Sequence, residues 1–176
     1  RRAIAHLCDK DKYVREGLQG LGYKIETYLG SPGYGPWAGT DYVTYEFSPT
    51  KAGEILDSLG FVRGPDGKRI DPKTGTTMRP LVIYARVEHP HRIFSARQLA
   101  AQMDVVGIPY DLREVPRAVT SAKVFLEQDY DIYTAGWGGG PDVDWVYDNF
   151  YSTSPPSMNF EPVSYTHLRA HETVLD

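Results

Sequence analysis

The strongest constraint in this chain is an alternation of strand-like and helix-like segments between Pro80 and Trp137. Pro80-Leu-Val-Ile-Tyr-Ala85 is a short apolar run with β-branched and aromatic residues, and Pro109-Tyr-Asp-Leu-Arg-Glu-Val115 alternates apolar with polar. Tyr130 to Trp137 reads as a third strand. Between them, Arg92 to Val106 and Arg117 to Gln128 carry helical patterns. Strands joined through intervening helices pair by right-handed crossovers, so the segment predicts an α/β lobe.

The first half prepares that lobe with local signals. Ala3, Ile4, Leu7, Cys8, Tyr13, Val14 and Leu18 fall at helical spacing, and Asp9 is placed to cap a second helical segment beginning at Lys10. Residues 19–47 are rich in Gly, Pro, Tyr and Trp without a sustained period, and they read as an ordered irregular loop. Ser48 then has the chemistry of an N-cap, Pro49 suits the first helical position, and Gly60 marks the stop. Ala52, Ile55, Leu56 and Leu59 share one face of this helix. Gly64-Pro-Asp-Gly-Lys68 and Asp71-Pro-Lys-Thr-Gly75 predict turns closing a hairpin-like excursion. A calcium loop is the competing reading there, but the alternating acidic ligands and terminal Glu that it requires are missing.

Composition narrows the function classes. With 41% hydrophobic residues the 176-residue chain can bury a core, and its formal charge of -4 leaves no basic footprint for nucleic acid. A single cysteine, Cys8, forms neither an internal disulfide nor a multi-cysteine metal site, and it reads as a small buried or half-buried residue. No window approaches eighteen apolar residues. The chain opens at Arg1 inside an amphipathic pattern, so the lack of a secretion signal carries no weight.

Val163-Ser-Tyr-Thr-His-Leu-Arg-Ala-His-Glu-Thr173 breaks the preceding composition and resembles a translated sequencing adapter. We therefore expect residues 163–176 to be a non-native read-through tail and residues 1–162 to be a partial lobe of a larger protein. His167, His171 and Glu172 are set aside with the tail, although their spacing imitates a zinc-binding helix.

Four landmarks in order carry a family resemblance. Arg2-Ala-Ile-Ala-His-Leu-Cys-Asp-Lys10 and Ser48-Pro-Thr-Lys-Ala-Gly-Glu-Ile-Leu-Asp-Ser-Leu-Gly-Phe61 are followed by Ala100-Ala-Gln-Met-Asp-Val-Val-Gly-Ile-Pro-Tyr-Asp111 and Tyr130-Asp-Ile-Tyr-Thr-Ala-Gly-Trp137. Together they resemble the extracellular solute-binding proteins of family 5, the dipeptide- and oligopeptide-binding components of ABC importers. The resemblance implies part of a two-lobed, periplasmic-binding-protein-like (type II) fold, mostly one lobe, with a mixed sheet and flanking helices. It also implies a hinged protein that closes on a peptide or similar small polar solute and delivers it to an ABC permease with its ATPase. Its place would be periplasmic or extracellular, with a lipid anchor as one possibility. The isolated piece is expected to fold poorly, since absent chain would cover much of its cleft and hinge.

Within that resemblance, the run from Asp131 to Asp144 corresponds to the ligand-facing edge. Trp137, followed by Gly138, Gly139 and Gly140, offers a flat amphipathic ring beside backbone that a ligand can approach closely; the competing reading has Trp137 filling the core. Asp142 is the better ligand candidate of the two acids that follow, since Asp144 suits a helix cap. In peptide binders of the family a carboxylate shortly after this Trp pairs with the peptide amino terminus, and Gly140 stands at that place here. An oligosaccharide is therefore the alternative solute. The loop from Arg86 to Arg92 corresponds to one that brings a basic residue to the cleft, which nominates Arg86, His89 or Arg92; a plain solvated loop is the competing reading. His89 and His91 find no further ligand nearby in sequence, so no metal and no cofactor is assigned.

An enzyme is the contrasting class, with an acid-base pair in a glycine-rich cleft. The chain lacks a nucleophile elbow, a phosphate loop and a dinucleotide fingerprint, so the reading is a binding protein without catalytic residues. A sensor lobe that signals without transport is the third alternative.

Overall fold

The computed structural model describes residues 1–27, 32–39 and 41–136. The chain begins with α1 (Arg2–Ala5) and α2 (Lys10–Lys12), and Asp9 caps the latter by accepting the Lys12 amide at 2.9 Å. Wider turns over Tyr13–Gly17 continue it to Leu18, whose amide reaches back five residues to the Tyr13 carbonyl. Between residues 19 and 47 the described residues hold two tight helical turns within Pro32–Trp37, separated by a kink at Gly35, and no strand.

Helix α3 (Pro49–Ser58) starts as the sequence predicts: Ser48 Oγ accepts the Lys51 amide, and Pro49 opens the first turn. At its other end the Phe61 amide returns to the Leu56 carbonyl and the Gly60 amide to the Asp57 carbonyl, which closes the helix with a Schellman motif. Ala52 and Leu56 are buried, but Leu59 is 62% exposed. It occupies the cap, where the chain turns out of helical geometry and carries its side chain off the buried stripe.

Residues 61–78 form the expected excursion, with antiparallel bridges Arg63↔Arg69 and Ile70↔Thr77. The carboxylates of Asp66 and Asp71 are used inside it, accepting the amides of Lys68 and Lys73. One buried side chain locks this excursion onto the lobe. Arg69, 2% exposed, donates from Nε to the Val106 carbonyl at 2.7 Å and from Nη1 to the Phe61 carbonyl at 2.6 Å, and it pairs with Asp57.

The α/β unit follows: β1 (Leu81–Arg86), α4 (Pro90–Val106), β2 (Tyr110–Val115), α5 (Arg117–Ser121) and β3 (Ile132–Thr134). The described strands form one parallel sheet in the order β2-β1-β3, and the antiparallel pairing lies in the excursion, outside it. Beyond α5 the chain widens over Ala122–Leu126 instead of continuing as α-helix to Gln128.

Alternation along β1 separates two faces. Ile83 and Ala85 join Ala96, Leu99, Ala100, Met103 and Val106 of α4, with Ala52 and Leu56 of α3 and Ala3 and Leu7 at the start of the chain, in one core. Full burial of a side chain such as Ile83 contributes roughly 1.5–3 kcal/mol. Cys8 packs partly buried against this core, and burial pushes its thiol pKa up. Tyr84 and Arg86 point to the opposite face, where Thr120 and Val124 are buried. Gly107 ends α4 at φ 81°, and a side chain there would run into the Gly67 carbonyl oxygen, so the helix stop and the excursion fit only around glycine.

Candidate ligand-binding edge of the sheet

A parallel sheet gathers the carboxyl ends of its strands along one edge, and in α/β proteins ligands bind outside that edge. Here the edge collects the ends of β1 at Arg86, β2 at Val115 and β3 at Thr134, together with the first turn of α4. The Val87 amide donates to the Val115 carbonyl at 3.2 Å, and Glu88 accepts the Arg117 amide at 2.9 Å, so the loop after β1 is tied to the start of α5. That backbone hydrogen bond holds the Glu88 carboxyl below its ordinary pKa.

Arg86 is half-buried and preoriented. Its Nε donates to Thr120 Oγ1 at 3.1 Å, and its guanidinium carbon lies 5.7 Å from the centre of the Tyr133 ring. Thr120 is fully buried and donates in turn to the Arg117 carbonyl at 2.9 Å. Support of this kind fixes the fork of an arginine before any anion arrives.

His89 occupies the N-cap position of α4 without a side-chain cap; its carbonyl accepts the amides of Arg92 and Ile93. Its ring stands 5.6 Å from that of His91. Burial, followed by the charges of Arg92 and His89, lowers the His91 pKa, so this imidazole is neutral further into the acid range than usual. Among the described residues no cluster of three His, Cys, Asp or Glu side chains is placed to hold a metal.

Arg92 reaches from α4 to the exit of β3. Its Nη2 donates to the Gly136 carbonyl at 3.3 Å, while Nε is buried without a hydrogen-bond partner among the described residues. The sequence reading named Arg92 with Arg86 and His89, and the structure sets all three on the same edge. Two supporting residues escaped that reading. Neither carries a local signal: Tyr133 shares a sheet face with Arg86 through the parallel register that pairs it with Tyr84, and Thr120 arrives through the packing of α5 on β1.

Asp131 requires a correction. It opens the run read as ligand-facing, yet it sits before β3, at the opposite end of the sheet, where it accepts two hydrogen bonds from Arg79 at 2.7 and 2.5 Å and the Val82 amide at 2.9 Å. Chiefly the Arg79 contacts hold its carboxyl below the usual pKa. A parallel strand enters at one edge and leaves at the other, so only the far end of the run reaches the carboxyl edge. Trp137, Gly138, Gly139, Gly140 and Asp142 lie outside the described residues.

Comparison with known proteins identifies the lobe. A "Probable ABC transporter-binding protein" of Deinococcus radiodurans is 26% identical over 164 residues, which cover 90% of this chain and 26% of that protein. The oligopeptide-binding protein AppA of Bacillus subtilis, solved with a nonapeptide, superposes with a TM-score of 0.76 at 20% identity over 97% of this chain and 34% of its own. A Thermotoga maritima periplasmic oligopeptide-binding protein, solved with mannohexaose, gives 0.72 at 22% identity over 96% and 34%. These two structures share the type II periplasmic-binding-protein-like fold, of which this chain is a partial lobe. The chain spans about a quarter of the curated relative and a third of each solved structure. The description "Bacterial extracellular solute-binding proteins, family 5 Middle" matches residues 1–157, and the chain belongs to that family.

Proposed function

We propose that this chain is the ligand-facing middle portion of the substrate-binding component of an ABC importer, which captures a small polar solute outside the membrane and delivers it to the permease and its ATPase. The observation that carries the reading is the family match over residues 1–157. The carboxyl edge of the sheet fits the role: Arg86 is preoriented by Thr120 and Tyr133, with His89 and Arg92 beside it. A peptide is the first solute, its carboxylate received by Arg86 and its backbone by Trp137, Gly138, Gly139, Gly140 and Asp142. Binding stabilises a closed state over an open one through differential contacts, with no chemical step. Residues 163–176 take no part in this reading, as a non-native tail.

A neutral oligosaccharide is the second reading. Gly140 stands where a peptide binder would present a carboxylate, and the Thermotoga maritima relative was solved with mannohexaose. Calorimetric titration of the full-length protein with a nonapeptide pool and with mannohexaose separates the two; heat from neither removes both. The family is extracellular, and we place the full-length protein in the periplasm or at the cell surface, with a lipid anchor as one form of attachment. Catalysis is not part of the proposal, and solute recovered chemically unchanged after binding checks that.

A further inference from the structure

Gly136 and Arg92 fit each other in a way the solute-binding reading does not use. A side-chain carbon placed on Gly136 would meet Arg92 Nη2 at 2.9 Å, Cζ at 3.5 Å and Nε at 3.6 Å, and these three are its nearest neighbours. The guanidinium therefore lies along this glycine while donating to its carbonyl at 3.3 Å. Backbone conformation is not the reason for glycine here, because Gly136 is not among the glycines with positive φ. A methyl group there would displace the end of the Arg92 side chain.

Buried arginines that hold a fold find acceptors for their donors, as Arg69 does with two carbonyls and a carboxylate. Arg92 instead keeps Nε buried without an acceptor among the described residues, and its one hydrogen bond there runs from Nη2 to the Gly136 carbonyl. A buried donor in that state is unfavourable, and it persists where the surrounding structure gains something else from the position. The residue after Gly136 is Trp137.

We propose that Arg92 is a positioning residue for solute capture: seated on Gly136, it ties the first turn of α4 to the exit of β3 and so fixes the direction in which the chain leaves the sheet toward Trp137. The proposal rests on the solute-binding reading. It gives Arg92 a role distinct from direct contact with solute, which belongs to Arg86.

Calorimetry on the full-length protein with the nonapeptide pool and with mannohexaose tests it, using R92Q, G136A, their double variant and R92K. Removing the guanidinium and displacing it with a methyl group break the same contact. R92Q and G136A are each expected to weaken binding of the captured probe about tenfold, and the double variant no more than the weaker single, since the two changes act on one interaction. R92K is expected to recover part of the loss, because an ammonium reaches the Gly136 carbonyl without the planar stack. Thermal melting of the ligand-free variants is expected to stay close to wild type, which a merely structural arginine would not allow. Loss in R92Q with unchanged binding in G136A overturns the proposal, as does strict additivity or unchanged affinity in both. If R92Q does not fold, G136A and R92K decide between the same outcomes. Wild-type protein that binds neither probe overturns the solute-binding reading, and the positioning role with it.

Discussion

Two arginines, one at each end of α4, divide the work of the lobe. Near the carboxyl terminus of that helix, Arg69 is 2% exposed and gives its donors to Val106, Phe61 and Asp57. At the amino terminus, Arg92 makes one hydrogen bond to Gly136 and leaves Nε without a partner among the described residues. Among the described residues, the same side chain thus finds three acceptors in one place and a single one in the other. What differs is the edge of the sheet: Arg69 braces an excursion away from the strands' carboxyl ends, whereas Arg92 stands on the edge where α/β proteins place ligands.

The largest effect that breaks this comparison is expected from R69M. Two buried carbonyls lose their donor, and the loss of stability is about 3 kcal/mol, read from urea unfolding of the full-length protein. Solute affinity of the folded fraction is expected to stay unchanged, the reverse of R92Q. Should R69M shift affinity as much as stability, the division between the two arginines fails.

G107A attacks the same brace from the backbone. A left-handed φ of 81° and the approach of the Gly67 carbonyl together predict a loss of about 2 kcal/mol, again without an effect on affinity. S48A sharpens the scale of such purely structural changes. Removal of the cap on α3 is expected to lower stability by about 1 kcal/mol, with S48D retaining most of it, as melting curves would show.

The smallest effect belongs to Asp131, at the edge opposite Arg92. Its carboxyl pKa is lower in the folded protein than in the unfolded chain, so its contribution is fully present above the unfolded value, near 4, and is lost as pH falls through the folded value. D131N is therefore expected to be slightly less stable than wild type at pH 7, and the gap to narrow in unfolding curves toward pH 3. Arg79 is largely exposed, which screens the pair and keeps the effect small. A gap that does not change with pH would assign the role of Asp131 to its shape alone.

Local chemistry was legible without coordinates wherever the cause was local. Asp9 and Ser48 cap the helices the sequence assigned them, and Gly60 stops α3 where expected, because a cap joins atoms only a few residues apart. Leu59 was misread for a related reason: periodicity extends a helical face by counting, and it cannot see that the face ends when the chain enters its cap. The run from Asp131 to Asp144 was read as one ligand-facing unit, but a strand crosses the sheet, so its first residue serves the far edge.

The sequence by itself determined the α/β alternation, the helix caps, the turns of the excursion and the order of the family landmarks. It also nominated Arg86, His89 and Arg92 as neighbours on a loop. Only the tertiary structure decided that β1 lies between β2 and β3, that Thr120 and Tyr133 orient Arg86, and that Arg92 rests on Gly136 forty-four residues away. The reason is one of range. Propensity, caps and turns are set by neighbouring atoms, while strand order and the pairing of distant side chains depend on how the packed layers exclude water together.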